Sequence, residues 1–226
     1  ARVYNYAGEH EKAACCAREV IDARIEEYLV DCFPLTDAGK VKGNDRKRYG
    51  EVIFALSNTQ NVDNYQPYYT TGNDKLFLAD YPGCFDDNSD VRKTHLTEPL
   101  GAERVCNKYI LPANDASVYM STEDLIPMIR VSEMYYICAE YLYRNGETQE
   151  AIEKLDAVRV ARDCTKGRLT ISGSDEFKEE LLKEARREFM QEGQLYFYFK
   201  RLNQKPLVSM PDEAFVFPLP DNELIN

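Results

Sequence analysis

Two stretches of this chain, 138 residues apart, carry the same helical grammar. Ala1, Tyr4, Gly8 and Ala13 are matched in order by Ala139, Leu142, Gly146 and Ala151. A small residue, a large one, a glycine and an alanine at this spacing specify two helices in close antiparallel contact. The small side chains let the helices approach, and the glycine permits the tight turn between them. This is the packing logic of a tetratricopeptide repeat, whose copies follow one another about every 34 residues. Here the copies stand roughly four times further apart, so a large segment is inserted between them. The expected fold class is all-α, with tetratricopeptide-like helical hairpins and an irregular, loop-rich excursion.

The rest of the chain reads as one domain in three parts. Residues 1–31 form the first hairpin. Residues 32–125 form the insertion, rich in Pro, Gly, Asn, Asp and Tyr and without a sustained period, which predicts loops, short strands and short helices. Residues 126–226 return to helical spacing. Val131, Met134, Tyr135, Cys138 and Leu142 make one apolar stripe that ends at Asn145-Gly146, with Pro127 placed to suit the first turn. Thr148 is the expected cap of the partner helix, whose inner face is Ala151, Leu155 and Val158. Phe177, Leu181, Ala185 and Phe189 mark a further amphipathic helix capped by Ser174 or Asp175. Gly193 breaks it, Leu195, Phe199 and Leu202 continue it, and the closing FVFPLPDNELIN is expected to be extended, fixed by Pro218 and Pro220.

Composition excludes several classes of function. A formal net charge of -11 without a compensating Lys/Arg cluster argues against a nucleic-acid partner. The apolar runs stop short of the ~20 residues that span a bilayer as a helix, and the opening residues do not read as a signal peptide. The seven cysteines include no CxxC pair, and only two histidines accompany them, so no metal site is expected. Cys15, Cys16, Cys138 and Cys164 fall in expected helices, where free thiols pack as small hydrophobes. Sixteen tyrosines without one tryptophan suggest a surface suited to recognition as well as to packing.

Three groups of residues could carry chemistry. Arg130, Glu133, Glu140, Arg159, Arg187, Glu188 and Glu192 include acids that could act as a general acid and base. Their helical spacings fit mutual ion pairing better, and no nucleophile elbow, HExxH or P-loop accompanies them, so no catalytic residue, cofactor or enzymatic activity is expected. Asp86, Asn88 and Asp90 match the start of a calcium loop. Val91 stands where the loop glycine belongs and Thr97 where the bidentate acid belongs, which favours a simple turn. The third group is aromatic. Tyr65, Tyr68, Tyr69 and Tyr81, beside Asn64 and Gln66, offer flat apolar faces next to amide hydrogen-bonders, as a sugar ring requires. The competing reading is a small satellite core that buries the same tyrosines.

Three segments together resemble the SusD/RagB family. Arg130–Arg159, RVSEMYYICAEYLYRNGETQEAIEKLDAVR, is similar to that family's Arg-x-x-Glu, Ala-Glu, Gly, Ala-x-x-x-Leu, Val-Arg hairpin. Glu184–Asn203, EARREFMQEGQLYFYFKRLN, resembles its Arg/Glu-rich stretch, and Phe217–Leu224, FPLPDNEL, resembles its Pro-x-Pro-x-x-Glu ending. The likeness covers residues 1–20 and 128–226, and Gln194 and Tyr198 depart from it where many members carry a basic residue and an aspartate. The resemblance implies a surface-exposed outer-membrane lipoprotein that binds a glycan and passes it to a SusC-like TonB-dependent transporter. It also implies a longer parent that starts with a lipid-bearing cysteine, of which these residues are a C-terminal portion. The membrane would then be reached only through that anchor. Alternatives are a repeat-type protein adaptor, a peptide-binding SusD homologue and, least favoured, a glycosidase.

Overall fold

A computed structural model describes residues 1–70, 76–78, 81–114, 116–165, 169–204 and 211, with the side chains of residues 66, 69, 70, 81 and 82 outside that description. The closing FPLPDNEL segment also lies outside it. In chain order the elements are α1 (Arg2–Tyr6), α2 (His10–Ile21), β1 (Arg24–Ile25), β2 (Val30–Asp31), α3 (Ala38–Lys42), β3 (Val52–Ser57) and α4 (Asn61–Thr70). There follow α5 (Tyr81–Cys84), α6 (Val91–Thr94), β4 (Thr97–Leu100), β5 (Glu103–Cys106), α7 (Ser117–Met120) and β6 (Leu125–Arg130). The chain then forms α8 (Val131–Arg144), α9 (Thr148–Ala161), α10 (Ser174–Glu188) and α11 (Leu195–Leu202). The fold is mainly helical, as expected. Among the described residues, three two-stranded antiparallel ribbons qualify the all-α expectation: β1 with β2, β3 with β6 and β4 with β5.

The repeated grammar is a repeated geometry. Gly8 takes φ +78° and Gly146 φ +83°, a region that costs a residue with a Cβ about 1 kcal/mol or more. The amide of Glu9 bonds to the carbonyl of Tyr4 at 2.9 Å, and that of Glu147 to Leu142, also at 2.9 Å. Gly8 to Asn5 and Gly146 to Tyr143 repeat in the same way, at 3.2 and 3.1 Å. These are the paired bonds of a Schellman turn, and they satisfy the last carbonyls of α1 and α8.

Ala13 and Ala17 of α2 then lie fully buried against Met134, Ile137 and Cys138 of α8. On the other side of α8, Tyr136 and Ala139 pack with Ala151, Leu155 and Val158 of α9 and with Phe177, Leu181 and Ala185 of α10. Because α8 is flanked on both sides, it is buried beyond the single stripe read from the sequence.

Several local expectations are corrected. Pro127 lies in β6 opposite Ala55 and not in a helix, beside a register irregularity of the kind that tolerates proline. The helix starts only at Val131 because the chain pairs with β3 up to Arg130. Thr148 and Ser174 are first helical residues, preceded by Glu147 and Gly173 as uncapped N-terminal positions. Asp175 lies one residue further inside α10. All seven cysteines are free. Only Cys84, Cys106 and Cys138 are buried, Cys15 is exposed, and Cys164 lies beyond the end of α9.

The insertion is fastened to the helices by charge. Glu188 of α10, fully buried, meets Arg130 at 2.6 Å, Arg162 at 2.8 Å, Arg48 at 3.2 Å and Arg92 at 3.3 Å. Glu184, one turn earlier, takes Arg187, Arg92 and Arg159 at 2.6, 2.8 and 3.2 Å. Glu192, one turn later, takes Arg130 at 3.0 Å and Lys108. Glu51 accepts from Arg162 and Arg130, and Asp90 from Arg92. Seven cations (Arg48, Arg92, Lys108, Arg130, Arg159, Arg162, Arg187) thus meet five carboxylates (Glu51, Asp90, Glu184, Glu188, Glu192) in a nearly solvent-free interior. Burial costs several kcal/mol per ion, so such a group holds together only because each charge has partners, and removing one leaves another stranded.

Burial alone would raise the Glu184 carboxyl, but Arg92, Arg187 and Arg159 overcome it and hold it at about 2. Glu188 is likewise held well below the carboxylate range, by Arg162, Arg48 and Arg130 against burial. A depressed carboxyl stabilises the fold fully above its unfolded value and loses that contribution as pH falls towards the folded one. For Glu184 the loss runs from about pH 4.5 down to about 2 and amounts to the order of 3 kcal/mol. Urea denaturation at successive pH values is expected to show stability falling steeply across that window. In a second test, Gly146→Ala is expected to lower stability by about 1 kcal/mol or more. Gly173→Ala, at extended φ with open space around it, is expected to leave the urea midpoint nearly unchanged.

Candidate functional site

The acids that could have served as a catalytic pair are closed off. Glu184, Glu188 and Glu192 form a stripe at four-residue spacing, and every one is occupied by guanidinium or ammonium groups in the interior. Glu133 is held by Arg2 at 2.5 Å and Glu140 by Arg201 at 2.6 Å. Glu184, Glu188 and Glu192 are sealed from solvent. Glu140, which borders a cavity between α8 and α10, is already paired with Arg201 and Arg144 and stands without a second free acid among the described lining residues to form a catalytic pair. The sequence pointed to pairing among seven of these residues. It did not single out Arg48, Glu51, Arg92, Lys108, Arg162 or Glu184, each of which has at least one partner in a distant segment.

Asp86, Asn88 and Asp90 do not converge. Asp86 faces Arg187 at 3.0 Å, Asn88 accepts from Lys93 at 2.5 Å, and Asp90 is gripped by Arg92 at 2.7 Å. Asp87 and Asp90 instead bond the amides of Ser89 and Arg92, the local turn chemistry of short acidic side chains. Among the described residues no cluster of three or more His, Cys, Asp or Glu could hold a metal.

The aromatic group lies on α4, a helix the irregular sequence did not predict. Tyr65 and Tyr68 are spaced so that they share one helix face. Asn61 starts the helix and is buried, its side chain donating to the Glu123 carbonyl at 3.2 Å. Tyr65 is half-buried and stacks on Tyr109, with ring centroids 4.8 Å apart. Beneath Tyr109 lies Lys47, whose ammonium is 5.3 Å from that ring and 5.0 Å from Tyr119. The same ammonium donates to the carbonyls of Thr122 and Glu123 at 2.6 Å each, and burial pushes it down to about 8. Tyr65 thus stacks on Tyr109, which together with Tyr119 lies close to the Lys47 ammonium. These residues lie far apart in sequence, which hid the arrangement from sequence reading.

The outer part of this surface is open. Tyr68 is 53% exposed, Asn64 is exposed, and Leu76 and Phe77 are 56% and 46% exposed. Leu76 is tied to the Tyr68 carbonyl at 2.9 Å, and Leu78 to that of Arg104 at 2.8 Å, so this apolar edge is held beside α4. The side chains of Gln66, Tyr69 and Tyr81 lie outside the described residues, although Gln66 and Tyr69 lie within α4 and Tyr81 starts α5. Phe85 is buried in a satellite core with Val41, Val91, Leu96, Cys106 and Met190. The arrangement thus divides the aromatics: some are packing residues, and Tyr68 with its neighbours faces solvent.

Gln194 and Tyr198, where the chain departs from the family pattern, are both interior. Gln194 donates to the Met128 carbonyl at 3.1 Å, and Tyr198 packs 5.8 Å from Phe189 beneath Arg201. They alter the packing of α11 and not an open surface.

Comparison with known proteins agrees with this architecture. The chain is similar to a SusD superfamily protein from Bacteroides thetaiotaomicron, with TM-score 0.66 and 21% identity over 90% of this chain and 48% of that one. It is also similar to a SusD-like carbohydrate binding protein from Bacteroides vulgatus, with TM-score 0.63 and 20% identity over 90% of this chain and 44% of that one. The chain therefore spans about half the length of the solved structures it matches. No curated protein matches it. The sequence profile of the SusD family matches residues 39–215, most of the chain, and the chain belongs to the SusD family.

Proposed function

We propose that this chain forms part of a nutrient-binding protein that captures a glycan on the cell surface without cleaving it. The observation that carries the reading is the α4 surface. Tyr65 stacks on Tyr109, whose ring is itself contacted by Lys47, while Tyr68, Asn64, Leu76 and Phe77 remain open to solvent. A sugar ring needs a flat apolar face held rigidly beside hydrogen-bonding groups, and a pre-set aromatic loses little freedom on binding. Tyr69, Gln66 and Tyr81 are proposed members of the same surface. Family membership and the likeness to a Bacteroides vulgatus SusD-like carbohydrate binding protein support the same reading.

On this reading the protein sits at the outer membrane through a lipid anchor on its parent chain and hands its ligand to a SusC-like TonB-dependent transporter. No helix among the described residues is long and apolar enough to cross a membrane. The paired hairpins α1–α2 and α8–α9 would contribute to a tetratricopeptide-like superhelix in the whole protein, with the excursion as one part of a single SusD-like domain.

Isothermal titration calorimetry against a panel of neutral oligosaccharides tests the proposal, with a parallel assay for released reducing ends. Binding without turnover is expected. Tyr68→Ala is expected to weaken it by about three- to tenfold, and Tyr65→Ala by at least as much. Release of reducing ends, or affinities untouched by both substitutions, would contradict it.

A further inference from the structure

A cavity lies well apart in sequence from α4, where the C-terminal turn of α8 meets the first turns of α10 and the end of α11. It has a volume of about 260 Å³. That is below the ~300–1,000 Å³ of pockets that enclose drug-sized ligands, so it suits a group of single-ring size. Its floor is apolar: Tyr143 and Phe177 stack face to face, with centroids 4.0 Å apart and planes 5° from parallel, beside Leu181 and Leu202. Its rim is polar, with Arg144, Lys178 and Ser174.

The charge at this rim runs against that of the chain. Glu140, the acid lining the cavity, is buried and already neutralised by Arg201, which reaches both its oxygens at 2.6 Å. Arg144 approaches the same carboxylate at 2.9 Å as a second cation and remains 47% exposed. Lys178 is 42% exposed, and its acidic neighbour Asp175, 3.5 Å away, is 94% exposed, a pairing of little worth in water. A small apolar floor beneath surplus guanidinium and ammonium groups selects a ring that carries a carboxylate.

Given the glycan-binding reading, on which this step rests, we infer that the α8–α10–α11 cavity is a separate subsite for a uronic-acid residue. The ring would lie over the aromatic and leucine floor. Its carboxylate would accept from Arg144 and Lys178.

The test titrates methyl β-glucuronide, methyl β-glucoside and acetate separately into the 226-residue chain, with binding read by saturation-transfer difference NMR. The glucuronide is expected to bind about tenfold more tightly than the glucoside, and acetate more weakly than the glucuronide. Replacing Arg144→Gln and Lys178→Gln together is expected to erase the preference. The single surface change Lys178→Gln, which leaves the Glu140 pairings intact, is expected to weaken glucuronide binding about threefold. Equal affinity for the two sugars, acetate binding as tightly as glucuronide, or a preference that survives both substitutions would overturn the inference. Neutral oligosaccharides that bind through Tyr68 while no glucuronide binds would overturn this subsite alone. A glucuronide preference with no response of any neutral glycan to Tyr65→Ala or Tyr68→Ala would overturn the α4 reading alone.

Discussion

The carboxylate of Glu188 is the point on which the fold turns. Four guanidiniums converge on it, from Arg48 and Arg92 in the excursion, Arg130 at the junction of β6 with α8, and Arg162 at the end of α9. The two hairpins share an apolar seam between α2 and α8, but the long irregular segment between them offers no such repeating face. There ion pairs take over part of the task of joining. Arginine suits it better than lysine, because its planar fork can bind two acceptors at once and is less strongly hydrated. Arg162 illustrates this, reaching both oxygens of Glu188 while also contacting Glu51.

The same network bears on the surface proposed to bind sugar. Arg48 is held against Glu188 in a left-handed backbone conformation, φ 54°, and the adjacent Lys47 is driven between Tyr109 and Tyr119. Tyr109 supports Tyr65, so the position of α4 is linked to the buried charges through two consecutive residues. The fold thus couples an interior built for specificity to an outer face of tyrosine, asparagine and exposed apolar groups.

The hairpins were legible in the sequence because their signals are local. Gly8 and Gly146 meet a backbone requirement set within a few residues, and the alanines beside them mark the close contact. The period of Phe177, Leu181, Ala185 and Phe189 likewise located a helix, although its first turn was misread by one or two residues. What stayed hidden depends on distant pairing. Pro127 reads as a helix start until Ala55 is known to lie opposite it, and Arg48 carries no signal of its own until Glu188, 140 residues later, is brought beside it. For the candidate site, the tyrosines were visible as a cluster. Their division into a supported Tyr65, an exposed Tyr68 and a buried Phe85 required the fold.

The central claim is that one buried carboxylate joins the excursion to the helices, and Glu188→Gln tests it most directly. Urea denaturation combined with hydrogen exchange read by mass spectrometry would follow both the global stability and its distribution. The account predicts a loss of about 3–5 kcal/mol, with protection falling together in α10 and in the excursion segments around Arg48 and Arg92. A loss below about 1 kcal/mol, or a loss of protection confined to α10, would contradict it.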